Sequence, residues 1–149
     1  MTESYTGACQ CGRVRYHFNA DGAQAYLCHC RKCQRATGGF AAALVTVPGG
    51  VVWESQPAWY QSSPIARRPF CPDCGTPLGF AYDDGASESA VDVSYGSLDE
   101  PERFAPTAHF GTESIHECWI DTSALPRQRS DATQSVTRRW AAAGLEVPE

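Results

Sequence analysis

The chain has 149 residues, which is the length of about one domain. An apolar fraction of 42% and a charged fraction of 19% predict a folded protein and exclude an intrinsically disordered one. The formal net charge of −5 provides no broad basic surface, so we expect no nucleic-acid partner. Residues 1–6 show neither the cationic start nor the apolar region of a signal peptide, and no apolar run approaches the ~20 residues of a membrane span, so we expect no export signal, no membrane partner and a cytoplasmic location.

Short segments in which apolar and polar residues alternate follow one another along the chain. The first contains Val14, Tyr16 and Phe18, and turn-forming residues at 19–22 end it. The later predicted strands cover 40–47, 51–54, 59–61, 78–82 (ended by a turn at 83–85), 90–95 and 115–120. Many short strands separated by turn residues predict an all-β domain.

One helix is predicted, near the C-terminus. Asp131 is the expected N-cap, Gln134 completes a capping box, and Gly144 is the expected end. Residues 126–130 have the composition of a linker, so the sequence divides into a β domain at 1–125 and a helical extension at 126–149. Such a helix can pack on the sheet or on a second subunit, so a homodimer is one prediction.

Cysteine is the strongest compositional signal, because seven of the eight cysteines fall into three tight groups. The alternative interpretation is a disulfide framework, as in small secreted proteins. The chain is too long for that class, and cysteines two or three residues apart seldom have the geometry of a structural disulfide. The grouping therefore favours metal ligation. The cysteines are Cys9, Cys11, Cys28, Cys30, Cys33, Cys71, Cys74 and Cys118.

Residues 71–75 have the sequence of a zinc knuckle, in which Pro72 favours the turn and Gly75 permits a positive φ. A knuckle supplies two thiolates, whereas a structural zinc ion takes four ligands in a tetrahedron. A second pair of thiols near the N-terminus can supply the other two. We therefore predict a structural zinc site made by Cys9, Cys11, Cys71 and Cys74.

The remaining group places three thiols within six residues. Three ligands from so short a segment cover one side of an ion, and three protein ligands with a vacant fourth position are typical of catalytic zinc. The predicted ligands are Cys28, Cys30 and Cys33. The alternative is that the site is structural and closed by Cys118, His29, His109 or His116. For Cys118, an alternating pattern with neighbouring residues favours a buried, inert thiol.

Three motifs carry a resemblance to a known family. They are Cys-x-Cys-Gly-x-Val-x-Tyr at 9–16, Cys-His-Cys-x-x-Cys-Gln-Arg at 28–35, and Phe-Cys-x-x-Cys-Gly-Thr-x-Leu at 70–78. In this order they closely resemble the glutathione-dependent formaldehyde-activating family, also called the centromere protein V family. The resemblance spans residues 5–125, so the C-terminal extension lies outside it.

The resemblance implies a β-tent-like fold of several short, coiled antiparallel sheets with two zinc ions per chain. It also implies a carbon–sulfur lyase of the S-(hydroxymethyl)glutathione synthase type, which joins glutathione to formaldehyde. Cys28, Cys30 and Cys33 would then be catalytic, with the substrate thiol bound at the vacant position. The alternative function is a non-catalytic, zinc-stabilised module that binds another protein.

Nearby cations should matter at the three-cysteine site, because a fourth thiolate would leave four negative charges around one divalent ion. We expect Lys32, Gln34 and Arg35 to contact the substrate, for example the carboxylates of glutathione. Arg67 and Arg68 precede the knuckle and are expected to form a solvated pair.

Overall fold

The computed structural model describes residues 3–83 and 90–148. The chain divides into two compact units, Met1–His116 and Glu117–Glu149. The sequence places the end of the β domain somewhat later, at residue 125. Residues 84 and 85 of the predicted turn at 83–85 lie outside the described residues.

The described part of the first unit contains ten strands in two sheets. The smaller sheet contains β1 (Ser4–Ala8), β2 (Arg15–Asn19) and β5 (Val52–Trp53), in the order β1–β2–β5. The larger sheet contains β3 (Gln24–Cys28), β4 (Ala42–Val47), β6 (Ala58–Ser63), β7 (Ala66–Phe70), β8 (Gly79–Tyr82), β9 (Val91–Ser94) and β10 (Pro106–Phe110). Its strand order is β10–β3–β4–β9–β8–β7–β6. This mainly-β architecture confirms the predicted fold class.

Neighbouring strands are antiparallel, as predicted, with one exception among the described pairs. The exception is β10, which pairs with β3 in parallel and brings Phe110 beside Cys28. All five residues of β10 are exposed, so the strand carries no alternation that sequence analysis can detect. The predicted strand at 115–120 is wrong, because a 3₁₀ turn occupies Glu117–Trp119.

The main core lies between the two sheets. On the larger sheet, neighbouring strands place the buried residues Ala25, Val45 and Val93 in one row. They belong to the same apolar cluster as Tyr16 of β2, which is wholly buried and forms a 2.7 Å hydrogen bond with the Ser97 hydroxyl. Burial of this face from water stabilises the packing of the two sheets.

The opposite face of the larger sheet carries a second, smaller cluster. Cys28, Cys33 and Leu44 are buried there, and Tyr26 and Phe80 pack against them. The chain between β3 and β4 forms helix α1 (Arg31–Thr37), which is not among the elements predicted from the sequence. The three-cysteine motif therefore lies at the end of a strand and the start of a helix.

The second unit contains helix α2 (Gln134–Ala142), which confirms the predicted C-terminal helix. The expected N-cap is wrong: Thr133 takes that position, while the Asp131 carboxylate accepts a hydrogen bond of 2.8 Å from Arg129 Nε. In the described residues, no helix has both the length and the apolar character needed to cross a bilayer.

Candidate metal centres

The four thiols predicted for the structural site lie together in space. Their Sγ atoms are all within 4.8 Å of one another, with 3.5 Å between Cys9 and Cys11 and 3.7 Å between Cys11 and Cys71. Cys9 directly follows β1, and Cys71 directly follows β7. The group, called the four-thiol cluster below, therefore joins the ends of two strands from different sheets. Its members are Cys9, Cys11, Cys71 and Cys74.

The turn after Cys71 has the form that the knuckle sequence predicts. Gly75 adopts a φ of 75°, and its N–H donates a hydrogen bond of 2.9 Å to the Cys71 carbonyl. A positive φ of this size is strained for other residues, so glycine allows the turn to close at low cost. Asp73 in this turn forms an ion pair with Arg13 of the N-terminal loop. The ion pair connects the knuckle to that loop.

The hydrogen bonds of the four-thiol cluster favour anionic sulfur most strongly at Cys74. The Thr76 hydroxyl lies 3.0 Å from Cys74 Sγ, and with the Thr76 backbone N–H it lowers the pKa of Cys74 to about 5. At Cys11, the backbone N–H of Arg13 favours the thiolate, but the neighbouring thiols outweigh it and raise the pKa to about 12. Four sulfurs this close become anionic together only with a cation among them.

The second group of thiols, called the three-thiol cluster below, comes from one segment. The Sγ atoms of Cys28, Cys30 and Cys33 are all within 4.8 Å of one another, and 3.5 Å separates those of Cys28 and Cys30. Cys28 ends β3, Cys30 is the N-cap of α1, and Cys33 lies in the first helical turn. The Cys33 backbone N–H donates to Cys30 Sγ over 3.4 Å, so the start of the helix fixes the spacing of these two thiols.

The end of β10 holds this segment in place. The His29 N–H donates a hydrogen bond of 2.8 Å to the Phe110 carbonyl. Gly111 follows with a φ of 66°, and a Cβ atom there would lie 2.8 Å from the Cys30 nitrogen. Only a residue without a side chain lets the two segments approach this closely.

Burial and hydrogen bonds shift the pKa values of Cys28 and Cys30 in the three-thiol cluster in opposite directions. Burial opposes ionisation of Cys30, but the Cys33 backbone N–H and the neighbouring thiols outweigh it, so the pKa of Cys30 lies below its ordinary value. Burial and the two neighbouring thiols raise the pKa of Cys28 to about 12. As in the four-thiol cluster, a bound cation would allow all the sulfurs to be anionic.

Arg68 on β7 contacts the three-thiol cluster, although the sequence favoured a solvated pair for Arg67 and Arg68. Arg68 is only 8% exposed, its Nη2 donates to Cys33 Sγ over 3.3 Å, and its guanidinium lies 4.9 Å from the Phe80 ring centre. Arg67 instead stacks on Trp59 at 4.5 Å and pairs with Asp83. The prediction of a solvated pair is wrong, because Arg68 occupies the inward face of its strand, against the thiols.

A cavity of about 160 Å³ opens beside the three-thiol cluster, on the same face of the larger sheet. All three cysteines line it, and so do Arg68 and Lys32. The rest of its wall is largely apolar or aromatic: Tyr26, Leu44, Ile65, Ala66, Phe80, Tyr82 and Phe110, with Ser62 and Ser63. The three sulfurs therefore face a space that a small ligand can enter.

The three residues predicted to contact the substrate differ in their position relative to the cavity. Lys32 is exposed and lines the cavity, whereas Gln34 and Arg35 do not line it. Gln34 is buried, and its Nε2 donates to the His29 and Ser114 carbonyls over 2.7 and 3.0 Å, while its Oε1 accepts from Arg31. Gln34 therefore connects α1 to the segments on either side of it.

The histidines considered as a fourth ligand lie apart from the thiols. Among the described residues, no histidine joins the three-thiol cluster. His29 is buried, and its Nε2 is 2.8 Å from His109 Nδ1, while His116 is exposed. Cys118 belongs to the second unit, and the expectation of a buried thiol is wrong because Cys118 is exposed.

Both clusters fit a zinc ion in the spacing and chemistry of their donors. A tetrahedron with zinc–sulfur bonds of about 2.3 Å separates its sulfurs by about 3.8 Å. The measured separations of 3.5 and 3.7 Å are close to this value, and far from a disulfide bond of about 2.05 Å. All eight cysteines lie among the described residues, and all eight are free. The two clusters can therefore hold metal ions.

Comparison with known proteins agrees with the motifs and the clusters. Residues 4–114 match the family described as glutathione-dependent formaldehyde-activating enzyme, a range that contains both clusters. The chain is also 33% identical over 82 residues to a Schizosaccharomyces pombe protein named as an uncharacterized lyase. That similarity covers 54% of this chain and 60% of the relative, so the chain spans about three fifths of the relative's length. The chain belongs to the glutathione-dependent formaldehyde-activating family.

Proposed function

We propose that the chain is a zinc-dependent carbon–sulfur lyase that makes and breaks the bond between a thiol and an aldehyde. Glutathione and formaldehyde, which the family name contains, are the first pair to test. The observation that carries the proposal is the three-thiol cluster, which lines a cavity beside the buried guanidinium of Arg68. A closed structural site would need no cavity and no buried cation.

The two clusters have different proposed roles. The four-thiol cluster would hold a structural zinc ion that ties the knuckle to the end of β1. Cys28, Cys30 and Cys33 would hold a second zinc ion, which, when bound, lowers the pKa of a coordinated thiol and so supplies a thiolate at neutral pH. The apolar wall of the cavity keeps water from the reacting atoms.

Arg68 is the proposed electrostatic partner of the reaction. Its Nη2 already donates to Cys33 Sγ and so offsets part of the negative charge of the thiolates. Its Nε–H is buried and has no hydrogen-bond acceptor among the described residues. The Nε–H is therefore a suitable donor to the aldehyde oxygen, on which negative charge develops during addition. Lys32, also at the cavity, adds a second positive charge.

The proposed reaction needs no reactant other than the thiol and the aldehyde. The thiol sulfur forms a bond to the carbonyl carbon, the carbonyl π bond breaks, and the proton lost by the thiol ends on the former carbonyl oxygen. The product is a hydroxyalkyl thioether, and cleavage is the reverse. The cavity contributes by holding both reactants in contact.

Exchange NMR tests the proposal on the zinc-loaded chain. Formaldehyde exchange is measured with glutathione, 2-mercaptoethanol and benzyl mercaptan, and we expect acceleration of at least one of them above the uncatalysed rate. Cys33→Ser should remove the acceleration, whereas Cys118→Ser, at the exposed cysteine of the second unit, should keep it. Uncatalysed exchange for all three thiols would refute the proposal and favour a non-catalytic binding module.

A further inference from the structure

The size of the cavity limits what can bind beside the three-thiol cluster. Its volume of about 160 Å³ is well below the roughly 300–1,000 Å³ of sites that enclose drug-sized ligands. A tripeptide thiol such as glutathione would leave most of its atoms outside. The enclosed part of the ligand is therefore compact.

The charged groups at the cavity also limit the ligand. The described residues that line it include no carboxylate, and its two cations are Lys32 and Arg68. Arg68 is already engaged with Cys33 Sγ and the Phe80 ring. Glutathione carries two carboxylates and an ammonium group, which lose hydration on binding and need partners in return. Lys32 can pair with one carboxylate, and no carboxylate in the described lining can pair with the ammonium.

Apart from Lys32, the exposed described side chains that line the cavity are apolar or aromatic, and they form its mouth. Ile65, Tyr82 and Phe110 line it and are still 64%, 51% and 60% exposed. Large apolar side chains grouped on a surface beside a cavity are typical of ligand-binding sites. Here they continue the inner wall made by Leu44 and Phe80, so that one apolar surface runs from the solvent to the sulfurs.

We infer that the thiol used by this chain is compact and apolar, with an aryl or branched alkyl group on its sulfur-bearing carbon, and is not a peptide thiol. The inference rests on the proposed function for the reaction, but it concerns the binding of the thiol. The apolar group would lie against Phe80 and Ile65, and its sulfur would face Cys28, Cys30 and Cys33.

Binding and reaction are measured separately, so that the two proposals can fail separately. Saturation-transfer NMR on the zinc-loaded chain compares benzyl mercaptan with glutathione, and formaldehyde exchange is then measured for the same two thiols. We expect transfer to the benzyl ring from aromatic and aliphatic protein protons, and a kcat/KM for benzyl mercaptan about tenfold or more above that for glutathione.

The binding and exchange results together distinguish the inference about the thiol from the proposed reaction. Equal or stronger binding of glutathione, or no binding of benzyl mercaptan, overturns the inference. Selective binding of benzyl mercaptan, without accelerated exchange of it, of glutathione or of 2-mercaptoethanol, supports the inference and refutes the proposed reaction. Selective binding with accelerated exchange supports both.

A charge introduced at the mouth provides a second test. Ile65→Arg should lower the preference for benzyl mercaptan over glutathione about tenfold, because it replaces an apolar contact at the cavity by a cation that can pair with a carboxylate of glutathione. Val52→Arg is the matched control: Val52 is an aliphatic strand residue that is 57% exposed and does not line this cavity. A change of preference that is equal in both variants would contradict a contact at Ile65.

Discussion

The two cysteine clusters use the same ligand atom in different surroundings. The four-thiol cluster takes two thiols from each of two loops that follow strands of different sheets. The three-thiol cluster takes its thiols from one strand end and the helix that follows, and it lines a cavity. A metal at the first would hold distant parts of the chain together, whereas a metal at the second would hold one segment that is already folded.

The arginines near the two clusters differ in their exposure to water. Arg13 pairs with Asp73 at the surface, where their side chains are 54% and 50% exposed. Arg68 is 8% exposed and contacts a cluster sulfur directly. Because water screens the first interaction and hardly reaches the second, charge should matter much more at the three-thiol cluster. The comparison supports the structural role that we propose for one cluster and the chemical role that we propose for the other.

The largest effect is expected from Cys71→Ser. Structural zinc binds with about 10–16 kcal/mol of apparent energy in zinc-finger peptides, which is as large as the whole stability of about 5–15 kcal/mol of an ordinary domain. We therefore expect no cooperative thermal transition by circular dichroism and a sharply reduced zinc content. Cys118→Ser is the control and should melt like the parent chain. Normal melting of Cys71→Ser would remove the structural role from the four-thiol cluster.

A smaller effect on folding is expected from Cys33→Ser. The chain around the three-thiol cluster is held by β3, by the pairing of β3 with β10 and by the Gln34 hydrogen bonds, so the fold should survive. Zinc analysis should give one ion per chain in place of two, and the melting temperature should fall much less than in Cys71→Ser. Equal melting of the two variants would contradict the division of roles.

Arg68→Met should weaken the second metal site without removing it. Groups that hydrogen-bond to metal ligands typically contribute 10–100-fold in metal affinity, so competition with a chelator should show a loss of about that size for one of two zinc ions. Arg67→Met is the matched control, because Arg67 pairs with Asp83 and stacks on Trp59. Equal zinc retention in the two variants would contradict a role for Arg68.

The clusters could be predicted from sequence because ligand spacing is a local property. A Cys-x-x-Cys turn with a following glycine specifies its geometry within five residues, and the knuckle at Cys71 has that geometry. The alternation of Tyr16 and Phe18 likewise specified β2, because one of its faces is buried. At these two places a few neighbouring residues determine the structure, and the sequence-based prediction was correct there.

Arg68 could not be predicted in this way, because its role depends on contacts between distant segments. Arg68 meets Cys33 because β7 and β3 lie on the same sheet, which no local pattern specifies. The pairing of β10 with β3 also could not be predicted from the sequence, because an exposed edge strand needs no alternation of apolar and polar residues. A weak signal was present at Arg68: alternation along β7 places it on the same face as the buried Ala66.

The smallest effect is expected from Arg13→Gln. The substitution removes the ion pair with Asp73 but leaves all four sulfurs and the Thr76 hydrogen bond to Cys74 in place. Exposed ion pairs contribute little to stability because water and salt screen them, so the melting temperature should change by no more than about 3 °C. The zinc content should stay at two ions per chain. If Arg13→Gln lost zinc as readily as Arg68→Met, the exposed arginine would matter as much for zinc binding as the buried one. The electrostatic argument for different roles of the two clusters would then be wrong.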